Sequence, residues 1–249
     1  MIKQSKYTVF KLISPNQSGK RKYSITRITP HCVVGSPTAE SLGNFFHNSS
    51  LQASSNYGID RSGRVGLYVE EDCRSWCSSS EDNDNRAITI ECASDVKPPY
   101  TMTNDVYKTL IKLCVDICQR YNKNTLVWIP DKKKALKYKV KNNEMLITVH
   151  RWFSKKDCPG DWLYSRLGSL AETVTKELQH TKQFKEYRVK VTINDLNIRT
   201  GASTSTKIIK PCPPGIYTII EERKGAGATK WGKLKSGVGW ISLDYVDKI

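Results

Sequence analysis

The sequence contains no apolar run long enough to cross a bilayer, and residues 1–6 lack the apolar core of a secretory signal. These two absences predict a soluble chain that is made in the cytoplasm. The sequence also has no low-complexity segment and no repeated module. With 249 residues and 38% hydrophobic content, the chain can bury one large core or two smaller ones.

Acidic residues are in short supply, because 24 Asp and Glu face 40 Lys and Arg and leave a net charge of +16. Such an excess attracts polyanions, for which nucleic acid and the anionic polymers of a bacterial wall are both candidates. The basic residues are scattered through both halves of the chain. The sequence has no single basic helix and no aromatic-basic motif of a nucleic-acid module, so charge alone does not choose the polyanion.

Disulfide bonds are the weaker explanation for the eight cysteines, because a long chain without a secretory signal favours reduced thiols. Cys114 and Cys118 are four residues apart in a helical pattern, which predicts core positions. Cys158 differs from them, because it lies in a polar loop beside Lys156 and Asp157.

Apolar segments of the first 178 residues alternate between strand and helix patterns, which predicts an α/β layer structure with a mixed sheet and flanking helices. Residues 25–34 predict a strand that is interrupted at Pro30. Residues 56–69 predict a hairpin that turns at Ser62–Gly63.

A polar loop is predicted over residues 81–85, followed by an alternating strand over residues 87–93. Thr103 has the side chain and the position of a helix cap, and a last helix follows Trp162 as far as Leu178. This strand and the two helices complete the predicted α/β domain.

The helical pattern ends near Gln179, and short apolar-alternating runs separated by Gly and Pro follow it. We therefore predict an α/β domain over residues 1–178, a linker over 179–186 and a small all-β barrel over 187–249.

His150 and Cys158 frame a loop at the end of a predicted strand over residues 145–150, and an imidazole and a thiolate are ligands that zinc takes. His31 is the third candidate ligand, because His47 and His180 fall at a helix end and in the linker. A core histidine is the alternative for His31. Two imidazoles and one thiolate would leave a fourth position open, as in a catalytic zinc site.

Glu91 is a carboxylate in the middle of a strand, on the face opposite Ile88 and Ile90. Such a carboxylate either reaches water, where a lysine would pair with it, or faces a site. Lys156 has a similar alternative as a solvated loop charge.

These residues resemble a known family. His31, with His150 and Cys158 in the run HRWFSKKDCPG, is similar to the zinc-dependent N-acetylmuramoyl-L-alanine amidases related to peptidoglycan-recognition proteins, especially those of phage endolysins. The resemblance covers about residues 24–178 and includes SWCSSS over 75–80 and the strand that ends at Glu91.

The resemblance implies a Zn²⁺ cofactor at His31, His150 and Cys158. It implies that Glu91 moves the proton of the attacking water and that Lys156 lies beside the developing oxyanion, as amide hydrolysis requires. Many relatives carry a catalytic tyrosine in a Tyr-His-Phe run. The run here is Ser55-Asn56-Tyr57, so we expect Tyr57 to be a packed strand aromatic instead.

The tail has a resemblance of its own. The run DLNIRTGAS over residues 195–203 is similar to the start of a bacterial Src-homology-3-like domain, and GWIS over 239–242 fits its last strands. Such domains in endolysins bind cell wall, which implies a groove formed by aromatic side chains. The candidates for that groove, each of which has barrel core as its alternative, are Trp231, Trp240, Tyr217 and Tyr245.

Taken together, the resemblances imply a peptidoglycan amidase of the endolysin type that acts on a Gram-positive wall after release through a permeabilised membrane. A host autolysin and a non-catalytic peptidoglycan-binding protein of the same fold are the alternatives. Non-catalytic relatives typically lack the cysteine ligand, and Cys158 is present here. A nucleic-acid binder is a further alternative, and its binding would fall steeply with salt. The sequence does not indicate an oligomeric state.

Overall fold

A computed structural model describes residues 4–184 and 186–249, without the side chains of residues 180–183. The chain divides into two compact units, Met1–Gln179 and His180–Ile249. Two parts of the predictions lie outside the described residues. They are residues 1–3 of the N-terminal segment and residue 185 of the predicted linker. Within the described part of the chain, no helix is both long enough and apolar enough to span a membrane.

The described residues of the first unit form nine strands, six helices and two short 3₁₀ turns, over Ser49–Leu51 and His150–Trp152, and the sixth helix continues past the unit's end at Gln179. Its strands and helices follow in the order β1 (Thr8–Lys11), β2 (Gln17–Lys20), β3 (Arg27–Val34), α1 (Ala39–His47), β4 (Tyr57–Ile59), β5 (Val65–Leu67), β6 (Cys73–Ser75), α2 (Glu81–Arg86), β7 (Ala87–Ser94), α3 (Asn104–Arg120), β8 (Thr125–Val127), α4 (Lys132–Lys137), β9 (Glu144–Ile147), α5 (Asp161–Tyr164) and α6 (Leu167–Gln183).

Seven of these strands form one sheet in the order β1-β5-β4-β7-β3-β9-β8. All neighbours run parallel except β4 and β5, which form the predicted hairpin. Its turn is held by the Asp60 side chain, which accepts from the backbone N–H groups of Ser62 and Arg64, and Gly63 supplies a φ of +84°. The predicted mixed α/β sheet is therefore confirmed.

One face of the sheet packs on the two longest helices. Residues at helical spacing on α3, including Val106, Leu110 and Cys114, form a single apolar cluster with Leu170 and Val174 of α6 and with the strands. The prediction of core positions for Cys114 and Cys118 is confirmed, since both are buried. Helix α1 packs elsewhere, through Leu42 and Phe46 against Tyr68.

Pro30 does not interrupt its strand, contrary to expectation. β3 pairs with β7 along its whole length, but with β9 only at Arg27 and Ile28. At Pro30 the neighbour on the β9 side has already ended, so the missing N–H removes no ladder hydrogen bond. β9 is likewise shorter than predicted, because the chain leaves the strand after Ile147 and His150 begins a 3₁₀ turn.

The predicted polar loop over residues 81–85 is wrong, since these residues form helix α2. Ser80 caps the helix by accepting from the N–H of Asn83, and the first turn is acidic. The last predicted helix is two helices, α5 and α6, and α6 continues to Gln183. The helix therefore continues into the predicted linker, because Gln and Lys continue a helix well even where apolar spacing has ended.

After the end of α6, the described residues of the second unit are all-β, as predicted, and form seven strands: β10 (Tyr187–Val191), β11 (Asn197–Arg199), β12 (Ile208–Pro211), β13 (Gly215–Gly225), β14 (Ala228–Leu234), β15 (Trp240–Ser242) and β16 (Val246–Lys248). They form one antiparallel sheet in the order β12-β11-β15-β14-β13-β10-β16 around a separate small core. Strand β12 has no predicted counterpart, because all four of its residues are exposed and show no alternation.

A buried charge network links the N-terminal segment and the hairpin to α3. Glu71 is 0% exposed and accepts from Arg120 at 2.6 Å, from the Tyr57 hydroxyl at 2.8 Å and from the Tyr121 hydroxyl at 3.0 Å. The Tyr57 oxygen in turn accepts from the N–H of Ser5. Tyr57 is fully buried in this network, so the prediction of a packed strand aromatic is confirmed.

We expect Arg120→Ala to lower the free energy of unfolding by about 3–5 kcal/mol, because it removes the salt-bridge partner of the buried Glu71 carboxylate. Lys176→Ala is the control. It removes an exposed pair with Glu172 and should change the free energy by less than about 1 kcal/mol. Urea unfolding of each variant measures both changes, and equal losses would contradict the assigned importance of Glu71.

Candidate metal centre

The pairing of β3 with β7 places His31 beside Glu91. The two strands are parallel and in register over eight residues, and His31 is the direct partner of Glu91. Successive side chains alternate between the faces of a sheet. Ile88 and Ile90 therefore point into the α3 and α6 core, while His31 and Glu91 point to the opposite face. The predicted alternation of the strand is confirmed.

His150 and Cys158 are brought to the same face by the loop that follows β9. The N–H of Arg151 donates to the carbonyl of Cys158 at 3.0 Å, which closes the loop. Gly160 ends it with a φ of +81°, and a Cβ there would lie 2.8 Å from the Cβ of Tyr100. Only glycine fits this turn, so Gly160 fixes where Cys158 is held.

The ligand atoms of His31, His150 and Cys158 all lie within 4.8 Å of one another. The Cys158 sulfur is 3.3 Å from Nδ1 of His31, and the two imidazole rings are 5.1 Å apart. Nε2 of His150 contacts the Ser79 hydroxyl at 3.0 Å, which leaves Nδ1 of His150 for the centre. The three residues that the sequence singled out as ligands are thus neighbours, although more than a hundred residues separate His31 from the others.

The protonation states suit metal ligation. Burial and the neighbouring His150 hold the pKa of the His31 imidazole well below its usual value. Burial and the charge of Lys156 lower the pKa of His150. Both rings are therefore neutral near pH 7, the form that binds metal. Burial and the neighbouring Cys32 raise the pKa of the Cys158 thiol, so a cation would have to displace its proton.

Glu91 is enclosed, with 16% of its side chain exposed, and its Oε1 lies 3.9 Å from Nδ1 of His31. Burial raises the pKa of this carboxyl to about 7, and a hydrogen bond from Cys77 opposes the rise. No lysine or arginine pairs with Glu91 among the described residues. The alternative of an exposed strand carboxylate paired with a lysine is therefore wrong.

A cleft of about 500 Å³ opens beside this centre. Lys156 lines it together with His150 and is exposed, so its ammonium group is available to a ligand. The full set of lining residues is Gln52, Ala53, Arg74, Trp76, Cys77, Ser79, Ser80, Glu81, Asp84, His150 and Lys156.

Three residues of the site were not identified from the sequence: Cys77, Ser79 and Asp84. Cys77 contacts Glu91, and Ser79 contacts His150. The carboxylate of Asp84 accepts from the N–H groups of Cys77 and Ser78, so it fixes the segment that carries both side chains. The run SWCSSS was the available signal, but a sequence does not reveal which of its side chains reach the centre.

The aromatic residues proposed for wall binding divide into two pairs in the second unit. Trp231 and Trp240 are buried, at 2% and 7% exposure, so they belong to the interior of the unit and cannot line an open groove. This corrects the expectation of an open groove for both and leaves the alternative of an interior position. Tyr245 is 57% exposed, and the half-buried Tyr217 donates its hydroxyl to the Pro213 carbonyl.

Several solved structures resemble the chain. PlyL is 17% identical, with a TM-score of 0.48, over 67% of this chain and 96% of that chain. AmpD is 17% identical, with a TM-score of 0.47, over 69% of this chain and 99% of that chain. The Staphylococcus aureus hydrolase AmiA, solved in complex with its ligand, is 13% identical, with a TM-score of 0.47, over 70% of this chain and 84% of that chain.

Among curated protein sequences, none matches this one. The profile of a protein family does match, over residues 21–161, which is more than half of the chain. That range contains His31, Glu91, His150 and Cys158, which the fold gathers on one face of the sheet. The chain belongs to the N-acetylmuramoyl-L-alanine amidase family.

Proposed function

We propose that this chain is a zinc-dependent peptidoglycan hydrolase that cleaves the amide between N-acetylmuramic acid and the L-alanine of the stem peptide. The observation that carries the proposal is the convergence of two neutral imidazoles and one thiol within 4.8 Å, next to a carboxylate and an open cleft. Two nitrogens and one sulfur are a set that zinc accepts, with a position left for substrate or water. The residues present therefore fit this metal.

His31, His150 and Cys158 would hold the zinc, which when bound would supply Lewis-acid activation of water and of the amide carbonyl. Glu91 would take the proton of the attacking water and return it to the leaving amine. The raised pKa of Glu91 lets it exist both as a carboxylate, which accepts the proton, and as a carboxylic acid, which donates it. A nearby cation would favour the carboxylate form. Lys156 would stabilise the negative charge that develops on the carbonyl oxygen.

For the second unit we propose a wall-binding module of the bacterial Src-homology-3-like type. Its support is the small all-β sheet with its own core and the run DLNIRTGAS, of which Asn197–Arg199 forms β11. With Trp231 and Trp240 buried, Tyr245 and Tyr217 are the remaining aromatic candidates for the wall contact. We also propose a division into domains over 1–178 and 187–249, joined by a linker over 179–186 whose first residues continue helix α6 as far as Gln183.

The biological setting that suits these properties is a phage endolysin. Such an enzyme would accumulate in the host cytoplasm and reach the peptidoglycan of a Gram-positive host once the membrane is permeabilised. A host autolysin is the alternative setting, and the same chemistry serves both.

We expect the purified protein to carry one zinc per chain, and a chelator should abolish wall lysis until zinc is restored. Cys158→Ser should lose bound zinc, because a hydroxyl is a much poorer ligand than a thiolate. His47→Ala is the control and should keep its zinc, because His47 lies at the end of α1 and contacts the Ile13 carbonyl. Elemental analysis decides, and full activity without stoichiometric metal would refute the zinc assignment.

Glu91→Gln should keep zinc and fold but reduce the rate of amide cleavage by about a hundredfold to ten-thousandfold, because it removes the proton acceptor. Glu172→Gln, at an exposed position of α6, should leave the rate unchanged. Mass analysis of the products of purified peptidoglycan gives both the rate and the bond cleaved. Near wild-type lysis by Glu91→Gln would make Glu91 a structural carboxylate only.

A chain that ends at Gln183 should fold, bind zinc and cleave soluble muropeptides at the wild-type rate, since the first unit has its own core. It should lyse intact walls more slowly, because a wall-binding module raises the effective concentration of the catalytic unit at the surface. Sedimentation of residues 184–249 with purified walls, at a salt concentration that limits electrostatic reach to about 8 Å, tests the module directly. Equal lysis by the short and full chains would exclude the anchoring role.

A further inference from the structure

We propose that Cys77 is a positioning residue that orients the Glu91 carboxylate by donating its S–H to one carboxylate oxygen. The inference deepens the proposed function and rests on it, because it presumes that Glu91 is the proton acceptor. Cys77 is not one of the three presumed metal ligands. It lies in the run SWCSSS, which borders the site.

The Cys77 thiol contacts only one of the two oxygens of the Glu91 carboxylate. The Cys77 sulfur lies 3.7 Å from Oε1 of Glu91, which is within hydrogen-bond range for sulfur, and Oε2 has no hydrogen-bond partner among the described residues. A carboxylate rotates about its last bond unless one oxygen is held. Engagement of Oε1 by the thiol therefore fixes the plane of the carboxylate, with Oε1 3.9 Å from Nδ1 of His31.

The backbone that carries the Cys77 thiol is held by the Asp84 carboxylate. The backbone N–H of Cys77 donates to Oδ2 of Asp84 at 3.0 Å, and the N–H of Ser78 donates to the same oxygen at 3.1 Å. Asp84 is buried on α2, whose first turn is capped by Ser80. Because this segment is short and anchored, the Cys77 thiol loses little conformational freedom when it donates to Glu91. Accurate positioning requires this.

Cys77 lies outside the set of three presumed ligands, although its sulfur, His31 and Glu91 form a second group that could hold a metal ion. Its sulfur groups with His31 and Glu91 within 4.8 Å, whereas the set of presumed ligands combines His31 with His150 and Cys158. Cys77 also lines the cleft in which the substrate amide would lie.

The test is a double-mutant cycle in the full-length zinc protein, with a soluble muropeptide as substrate. Cys77→Ala should lower kcat by about three- to tenfold, the range for loss of one hydrogen bond, with KM unchanged. In the Glu91→Gln background, Cys77→Ala should cause no further loss, because there is no carboxylate left to orient. Cys77→Ser, which keeps a donor of similar shape, should restore kcat to within about twofold.

Two controls separate positioning from other roles. Cys73→Ala removes a thiol on β6 that contacts Asp72 instead of the centre, and it should leave kcat unchanged. In the cobalt-substituted protein, the sulfur-to-cobalt absorption band should be unchanged by Cys77→Ala and lost in Cys158→Ala. A band weakened by Cys77→Ala would make Cys77 a ligand and overturn the proposal.

The proposal also fails if Cys77→Ala lowers kcat by the same factor with and without Glu91, or if Cys77→Ser is as impaired as Cys77→Ala, because either result indicates a packing role. Unchanged kcat in Cys77→Ala would likewise overturn it. Failure of the proposed function looks different, since the wild-type protein would then release no stem peptide at all.

Discussion

The site depends on one constraint, the parallel register between β3 and β7. Because His31 pairs directly with Glu91, a presumed ligand and a presumed proton acceptor are fixed side by side by backbone hydrogen bonds. A slip of one residue between the two strands would turn one of these side chains into the apolar core. The alternation of Ile88 and Ile90 with Thr89 and Glu91 prevents that slip, since it would expose the isoleucines and bury the carboxylate.

The polar face around this pair is stabilised by a connected set of hydrogen bonds. Thr29 and Thr148 share one at 2.7 Å, and Asn83 joins them at 3.0 Å and 2.9 Å, so β3, α2 and the segment after β9 are tied together. A second group, formed by Thr89 and Ser75, ties β6 to β7 at 2.8 Å. These hydrogen bonds between buried side chains make the surroundings of the site rigid, which a site with several separate ligands requires.

Sequence reasoning identified the presumed ligands and Glu91, because imidazole, thiol and a strand carboxylate are conspicuous wherever they occur. It also identified the α/β and all-β halves from their different periodicities. It missed α2 and the site residues Cys77, Ser79 and Asp84, since capping by Ser80 and burial of Asp84 are tertiary outcomes. It also misjudged Trp231 and Trp240, because an aromatic ring suits a small core as well as a binding groove.

Strand β12 has a consequence for how copies of this protein behave in solution. As an outer strand with exposed Ile208 and Ile209, it offers unpaired backbone groups and apolar side chains to another chain, which is the usual start of edge-to-edge aggregation. Three features oppose this: the charge of Lys210, the missing N–H of Pro211, and an irregularity in the pairing with β11 at Ile209. Each of these features makes the outer edge of the sheet a poorer template for pairing with a second copy.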